Sequence, residues 1–160
     1  MLIQQHVNGS DAFNHSWEEY KVGFNDTSGN YWLGNDLLSQ LTQSGRHKLR
    51  FDLQVRSNLR YWAEYSAFVV LSEADNYRLL VSGYSGNIGD ALSWHNTMMF
   101  STYDRDNDQY ILNCAALRGG GFWYERCAYA NVNSIHSIFR WYQPDFKWHY
   151  LQTSRMWLTC

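Results

Sequence analysis

The chain has 160 residues, a formal net charge of −2 and an aromatic fraction of 18%. That length suits one domain with a core of its own, and the charge gives no bulk attraction for nucleic acid or an anionic membrane. No apolar run approaches the ~20 residues of a membrane-spanning helix, and Met1-Leu2-Ile3-Gln4-Gln5-His6 lacks the apolar core of a signal peptide.

Residues 1–30 carry three N-glycosylation sequons, with Asn8, Asn14 and Asn25 as acceptors, which points to a secretory-pathway surface. Ser16 precedes Trp17-Glu18-Glu19-Tyr20 as an N-cap, so the spacing predicts a short helix to Gly23. A loop follows around Asp26-Thr27-Ser28-Gly29. Leu37-Leu38-Ser39-Gln40-Leu41 then has helical spacing behind the acidic start Asn35-Asp36.

The middle of the chain reads as strands. Lys48 to Val55 alternates polar and apolar residues cleanly, and Arg60 to Val70 is rich in Tyr, Trp, Phe and Val. Tyr77 to Val81 reads as a third strand. The polar breaks Arg56-Ser57-Asn58 and Ser72 to Asn76 make the three an antiparallel meander. Beyond Gly83 regular structure is expected to thin out, with Gly83, Gly86 and Gly89 each permitting a positive φ or a close backbone approach. After Cys127 the chain reads as irregular until Trp148 to Leu158, which alternates enough to rejoin the sheet.

Between these segments, Asp104, Asp106 and Asp108 place three carboxylates on alternate positions just before Cys114. Alternating acids in a loop either form a solvated turn or gather hard oxygen ligands around a calcium ion. An EF-hand is excluded, because a loop starting at Asp104 has Gln109 where glycine is needed and Ala115 where a bidentate glutamate is needed. Three cysteines cannot all pair within the chain. No nucleotide loop, zinc spacing or cofactor motif is present, and His95, His136 and His149 stand in no nucleophile arrangement, so no enzyme activity is expected.

Phe100-Ser101-Thr102, the Asp-x-Asp-Asn-Asp run, Asn113-Cys114-Ala115 and Gly121-Phe122-Trp123-Tyr124 before Cys127 together resemble the calcium and disulfide segment of fibrinogen-like C-terminal domains. The resemblance extends to Trp17 through Phe24, Trp32-Leu33-Gly34-Asn35-Asp36 and Gly83-Tyr84-Ser85-Gly86 with Gly89-Asp90, and so covers nearly the whole chain. It implies an α+β fold over residues 1–160: a twisted, mainly antiparallel sheet, short helices and a loop-built face holding calcium and a disulfide. Ile3-Gln4-Gln5 resembles the end of the family's early strand, so the domain is expected to lack its N-terminal subdomain start.

The resemblance further implies Ca2+ held by the carboxylates of Asp106 and Asp108 and the carbonyls of Tyr110 and Leu112, with Asp104 in a supporting role. It implies a Cys114–Cys127 bridge, leaving Cys160 unpaired within the chain. Many relatives have glycine where Leu112 stands, although tenascins also lack it. The family's ligand face maps to Leu117, Arg118, Trp123, Ala128, Tyr129 and Tyr142, with three departures. Ala128 replaces a histidine, Leu117 a Tyr or Gln, and Arg118 the acid that receives an arginine in fibrinogen. The loop after Asn131-Val132-Asn133 also reads as shortened. The expectation is therefore a secreted, calcium-stabilised adhesion or recognition domain for a protein or proteoglycan partner, as in tenascin-like matrix proteins. A ficolin-like lectin for acetylated glycans is the alternative. Oligomers could form through upstream modules or Cys160.

Overall fold

The computed structural model describes residues 1–9, 11–145 and 147–160. In chain order the elements are β1 (Leu2–His6), α1 (Trp17–Val22), β2 (Phe24–Asn25), β3 (Tyr31–Trp32), α2 (Asn35–Gln43), β4 (Lys48–Val55), β5 (Arg60–Val70), β6 (Leu79–Gly86), α3 (Cys114–Arg118), β7 (Ala130–Asn131), β8 (Arg140–Gln143) and β9 (Lys147–Thr159). Short 3₁₀ turns at Glu73–Asp75, Leu92–His95 and His136–Ile138 fill the connections.

Alternation in β4 buries Leu49, Phe51, Leu53 and Val55 on one face of the sheet. β4 pairs with β5 and β5 with β6, which is the expected meander. The main strand order is β2-β3-β1-β9-β4-β5-β6, and every named pairing is antiparallel. β9 is long enough to serve three neighbours: β1 and β4 along its C-terminal part, and β8 at its start. The fold is thus α+β and mainly antiparallel, as expected.

Helix α1 begins where the sequence places it. The Ser16 side chain accepts from the Glu19 amide while the Glu19 carboxylate accepts from the Ser16 amide, closing a capping box. Tyr20 on its buried face meets Trp32 and Phe100 at ring separations of 5.5 and 5.2 Å. Trp123 joins the cluster 5.3 Å from Phe100 and 6.1 Å from Trp32. Large rings with tilted and edge contacts let a domain with few helices bury much area per residue.

Three local readings change. The third strand runs from Leu79 to Gly86, starting two residues later and ending five residues later than its expected bounds of Tyr77 to Val81. Asn76 and Tyr77 both adopt positive φ, so the chain is still turning there. Gly83 carries the strand onward, because it takes φ +77 where a Cβ would meet Ser66 Oγ at 1.8 Å. After Cys127 the chain is also more regular than it reads, since β7 and β8 add to the sheet beside β9. Their residues lack a long alternating run, and pairing to β9 supplies the order that local sequence does not. Finally, α3 forms in what reads as loop, capped by Asn113, whose side chain accepts from the Ala116 amide, and closed by Gly119 at φ +78.

Candidate recognition face: an acidic loop and an aromatic strip

The acidic loop is held by its own side chains. The Asp108 carboxylate accepts from the amides of Tyr110 and Cys114, at 2.8 Å each. Asp106 Oδ1 accepts from the Asp108 amide at 3.2 Å. Asn107 anchors the loop from beneath, donating its amide to Ser101 Oγ and its side-chain amide to the Phe100 carbonyl. Asn113 donates to the Thr102 and Tyr103 carbonyls and so ties the two ends of the loop together.

Asp104 turns away from the other two acids. Its Oδ1 accepts from the Trp17 amide at 2.9 Å and from Thr102 Oγ1 at 2.7 Å. A carboxylate there satisfies an amide in the first turn of α1, so Asp104 docks the loop on that helix.

Cys114 and Cys127 are joined, with Cα atoms 5.4 Å apart, and Cys160 is free and exposed. The Arg126–Cys127 peptide bond is cis.

Asp106 and Asp108 face one another. Burial, and then the neighbouring Asp106 carboxylate, push the Asp108 carboxyl above its usual range, against the two amides that favour its charge. Among the described residues the Tyr110 and Leu112 carbonyls accept no backbone hydrogen bond, and both residues are exposed. No group of three or more His, Cys, Asp or Glu side chains gathers among the described residues. A cation at this point would therefore rest on two carboxylates and backbone carbonyls, an all-oxygen set that fits a hard divalent ion.

His95 joins this loop to the next region. It is buried, and its Nδ1 lies 2.8 Å from the Trp123 carbonyl. Its Nε2 faces the amides of Tyr129 and Ala130 at 3.1 and 3.2 Å. Nε2 must accept both, so Nδ1 carries the proton and the ring is neutral. Burial lowers its pKa to about 4, only partly opposed by the Trp123 carbonyl. His95 is thus a buried polar residue whose ring nitrogens are both engaged by the backbone.

Ligand-face candidates separate into exposed and buried. Leu117 is 50% exposed, and Tyr110, Ile111 and Leu112 of the acidic loop are exposed as well. Ala128 is buried, and its carbonyl accepts from the Asn131 side chain. Trp123 is a correction: it is fully buried, with Nε1 donating to the Tyr77 carbonyl, so it belongs to the core and cannot anchor a partner. Its apolar neighbours in sequence conceal this, because buried and surface tryptophans look alike without the packing around them.

Tyr129 and Tyr142 are half-buried members of a continuous strip. Trp94, 55% exposed, packs 4.9 Å from Tyr129. Tyr129 lies 5.1 Å from Tyr142, and Tyr142 lies 5.1 Å from Trp148 across the β8–β9 ladder. Arg140 sits 3.9 Å over the Trp148 ring, and its Nη1 is 3.3 Å from the Tyr150 hydroxyl. Arg56 covers the same Tyr150 ring at 5.1 Å. Register explains the arrangement: Arg140 opposes Tyr150 and Tyr142 opposes Trp148, so all four share one face while Trp141 points into the core. Trp94, Trp148, Tyr150, Arg56 and Arg140 escape sequence reasoning. Their one visible signal is the alternation at the start of β9.

Arg118 is half-buried at the end of α3. Burial holds its guanidinium below the usual range, and the positive charge of Arg140 acts in the same direction. The Nε atoms of Arg118 and Arg140 are both out of solvent without a hydrogen-bond partner. Among the described residues none of Arg56, Arg118 and Arg140 forms an ion pair.

The sequons lie at exposed positions, with Asn8, Asn14 and Asn25 all open to solvent; Ser10, which completes the first, lies outside the described residues. No helix among the described residues is long and apolar enough to cross a membrane.

Comparison with known proteins bears on the whole arrangement. The chain is 42% identical to mouse angiopoietin-related protein 6 over 84% of its own length and 29% of that protein's. It is 37% identical to fibrinogen-like protein A of Apostichopus parvimensis, covering 94% of this chain and 54% of the relative. The chain therefore spans well under two thirds of these relatives. Among solved structures, the fibrinogen-like globe domain of human ANGPTL6 superposes with a TM-score of 0.88 at 37% identity, over 98% of this chain and 76% of that one. A lamprey fibrin D-dimer complexed with the peptide ligand Gly-His-Arg-Pro-amide gives 0.87 at 29% identity, over 98% and 60%. The family described as fibrinogen beta and gamma chains, C-terminal globular domain, matches residues 1–158, and the chain belongs to it.

Proposed function

We propose that this is an extracellular recognition domain, stabilised by calcium at Asp106 and Asp108, whose partner is a protein or proteoglycan. The observation that carries the calcium reading is the neighbouring pair of carboxylates: Asp106 raises the energy of the charged form of Asp108, and a divalent ion between them would remove that repulsion. Asp106, Asp108 and the carbonyls of Tyr110 and Leu112 would hold the ion. Bound calcium would supply positive charge that neutralises the carboxylates and ties the loop to the Cys114–Cys127 bridge.

Recognition, rather than catalysis, fits a family of binding domains and a buried, neutral His95 committed to three backbone groups. An extracellular setting is in keeping with the disulfide, the exposed sequon asparagines, and relatives named as a fibrinogen chain and a microfibril-associated glycoprotein. A protein or proteoglycan partner is favoured over an acetylated sugar by Leu117 and the buried Ala128, which leave no polar side chain at two family pocket positions.

Two measurements test the reading. Adding calcium to chelator-treated protein should raise its melting temperature, and Asp106→Ala should abolish most of that shift. An unchanged shift in the variant removes Asp106 from the site. Isothermal titration with N-acetylglucosamine at saturating calcium should give a Kd no tighter than about millimolar; micromolar binding would establish the lectin alternative instead.

A further inference from the structure

We propose that the strip formed by Arg56, Tyr150, Arg140, Trp148 and Tyr142 binds a sulfated polysaccharide, with Arg56 and Arg140 taking the sulfate groups and the partly exposed rings of Tyr150, Trp148 and Tyr142 packing against the sugar. This rests on the reading of the domain as an extracellular recognition module and names the class of its partner, on a surface that shares no residue with the acidic loop.

Charge supplies the first argument. Arg56 and Arg140 flank one tyrosine ring, 5.1 and 5.9 Å from its centre, and neither has a carboxylate partner among the described residues. Two guanidiniums held close without a counter-charge repel each other and favour an anion between them. Hairpin residues 140–159 contain a single acid, Asp145, which lies at the turn. Arg118 adds to the same positive field, since the charge of Arg140 reaches it.

Preorganisation is the second. Arg140 is clamped between Trp148 and Tyr150, and Arg56 is fixed by donating Nη2 to the His136 carbonyl at 2.5 Å. Guanidiniums whose rotamers are already restricted lose less entropy on pairing with sulfate, and their planar fork suits its oxygens. The Nε of Arg140, buried and without a partner, is consistent with a side chain placed for something other than stability.

The backbone argues for a sugar chain over an acidic peptide. β8 is paired on both sides, by β7 and β9, and β9 is itself paired by β1 and β4 further along. Arg140 and Tyr142 therefore lie on a strand with neighbours on both sides, and β8 offers a peptide no edge to join by strand addition. Partly exposed aromatic rings beside cations instead match the apolar ring faces and sulfate groups of a polysaccharide.

The test is binding of the calcium-loaded domain to a heparin hexasaccharide, to the same sugar chemically desulfated, and to a poly-glutamate peptide. The sulfated sugar alone should bind, with an affinity that falls as salt rises. The double variant R56Q/R140Q should lose at least tenfold in Kd with a flatter salt dependence, and R140K should fall between it and the parent, keeping the charge but losing the fork. R56Q alone, an exposed position, should lose affinity even if changes at Arg140 impair folding. Absence of binding by the parent, equal binding of the desulfated sugar or of poly-glutamate, or unchanged affinity in R56Q/R140Q and in R56Q would each overturn the proposal. The calcium-dependent melting shift, measured on the same samples, separates the two readings. Lost sugar binding with an intact shift counts against the strip alone, and a missing shift with intact sugar binding counts against the calcium site alone.

Discussion

The acidic loop and the arginine–aromatic strip are both charged surfaces, but they are built in opposite ways. Asp104, Asp106 and Asp108 lie within five residues of one another, and the loop satisfies their oxygens largely with its own amides. A disulfide and the docking of Asp104 on α1 brace it further. Arg56, Arg118 and Arg140 come from three distant segments, brought to one side of the molecule by the pairing of β9 and the end of α3, and no acid answers them among the described residues. The contrast teaches that local self-satisfaction makes a loop structural, whereas charges gathered by tertiary structure and left unpaired make a surface available to a partner. Between the two lies His95, bonded to Trp123 beneath the loop and to Tyr129 and Ala130 in the strip.

If the loop is structural and the strip is not, their substitutions should differ sharply in stability. The largest effect should come from Trp123→Ala, which removes the ring packed under the loop and costs about 3–5 kcal/mol in chemical denaturation. A loss under about 1 kcal/mol would mean that the ring is not part of the core. Replacing both Cys114 and Cys127 by serine should cost about 3 kcal/mol, because their bridge closes a short loop in the unfolded chain. Equal stability of oxidised and reduced parent protein would show that the bridge does not brace the loop.

Calcium at about a hundredfold excess over its Kd should stabilise the parent by about 2.7 kcal/mol, and Asp106→Ala should forfeit most of this. The readout is the difference in denaturation midpoint with and without chelator. Acid should act through the residue between the regions. His95 has a folded pKa of about 4 against 6.5 unfolded, so the unfolded state binds the extra proton between those values. Its contribution to stability is complete above the unfolded value and is lost as pH falls through that window, about 2 kcal/mol between roughly pH 7 and pH 5. Denaturation of His95→Gln should lack most of that pH-dependent decline; a parallel decline in parent and variant would exclude His95 as its source. Smallest of all, R56Q/R140Q should change stability by no more than about 1 kcal/mol, the scale of the cation–π contacts it removes. A loss of several kcal/mol there would erase the comparison, making the strip as structural as the loop.

Much of the scaffold is legible in the amino-acid order because its determinants are local. Ser16 and Glu19 close their own capping box, and strict alternation marks β4 over its full length. The acidic run is visible for the same reason: its ligand-type residues are neighbours in sequence, and family spacing identifies the pairing of Cys114 with Cys127. What the sequence alone could not decide depends on long-range pairing. Tyr77 looks like strand until the positive φ at Asn76 and Tyr77 turns the chain, and β7 and β8 exist because β9 offers them a partner. Trp123 and Trp148 are the same residue type in similarly aromatic surroundings, yet one is sealed in the core while the other supports Arg140 at the surface. Sequence fixes which groups are available within a few residues. Only tertiary structure decides which distant ones share a face, because register in a sheet assigns every side chain to one side or the other through contacts made far along the chain.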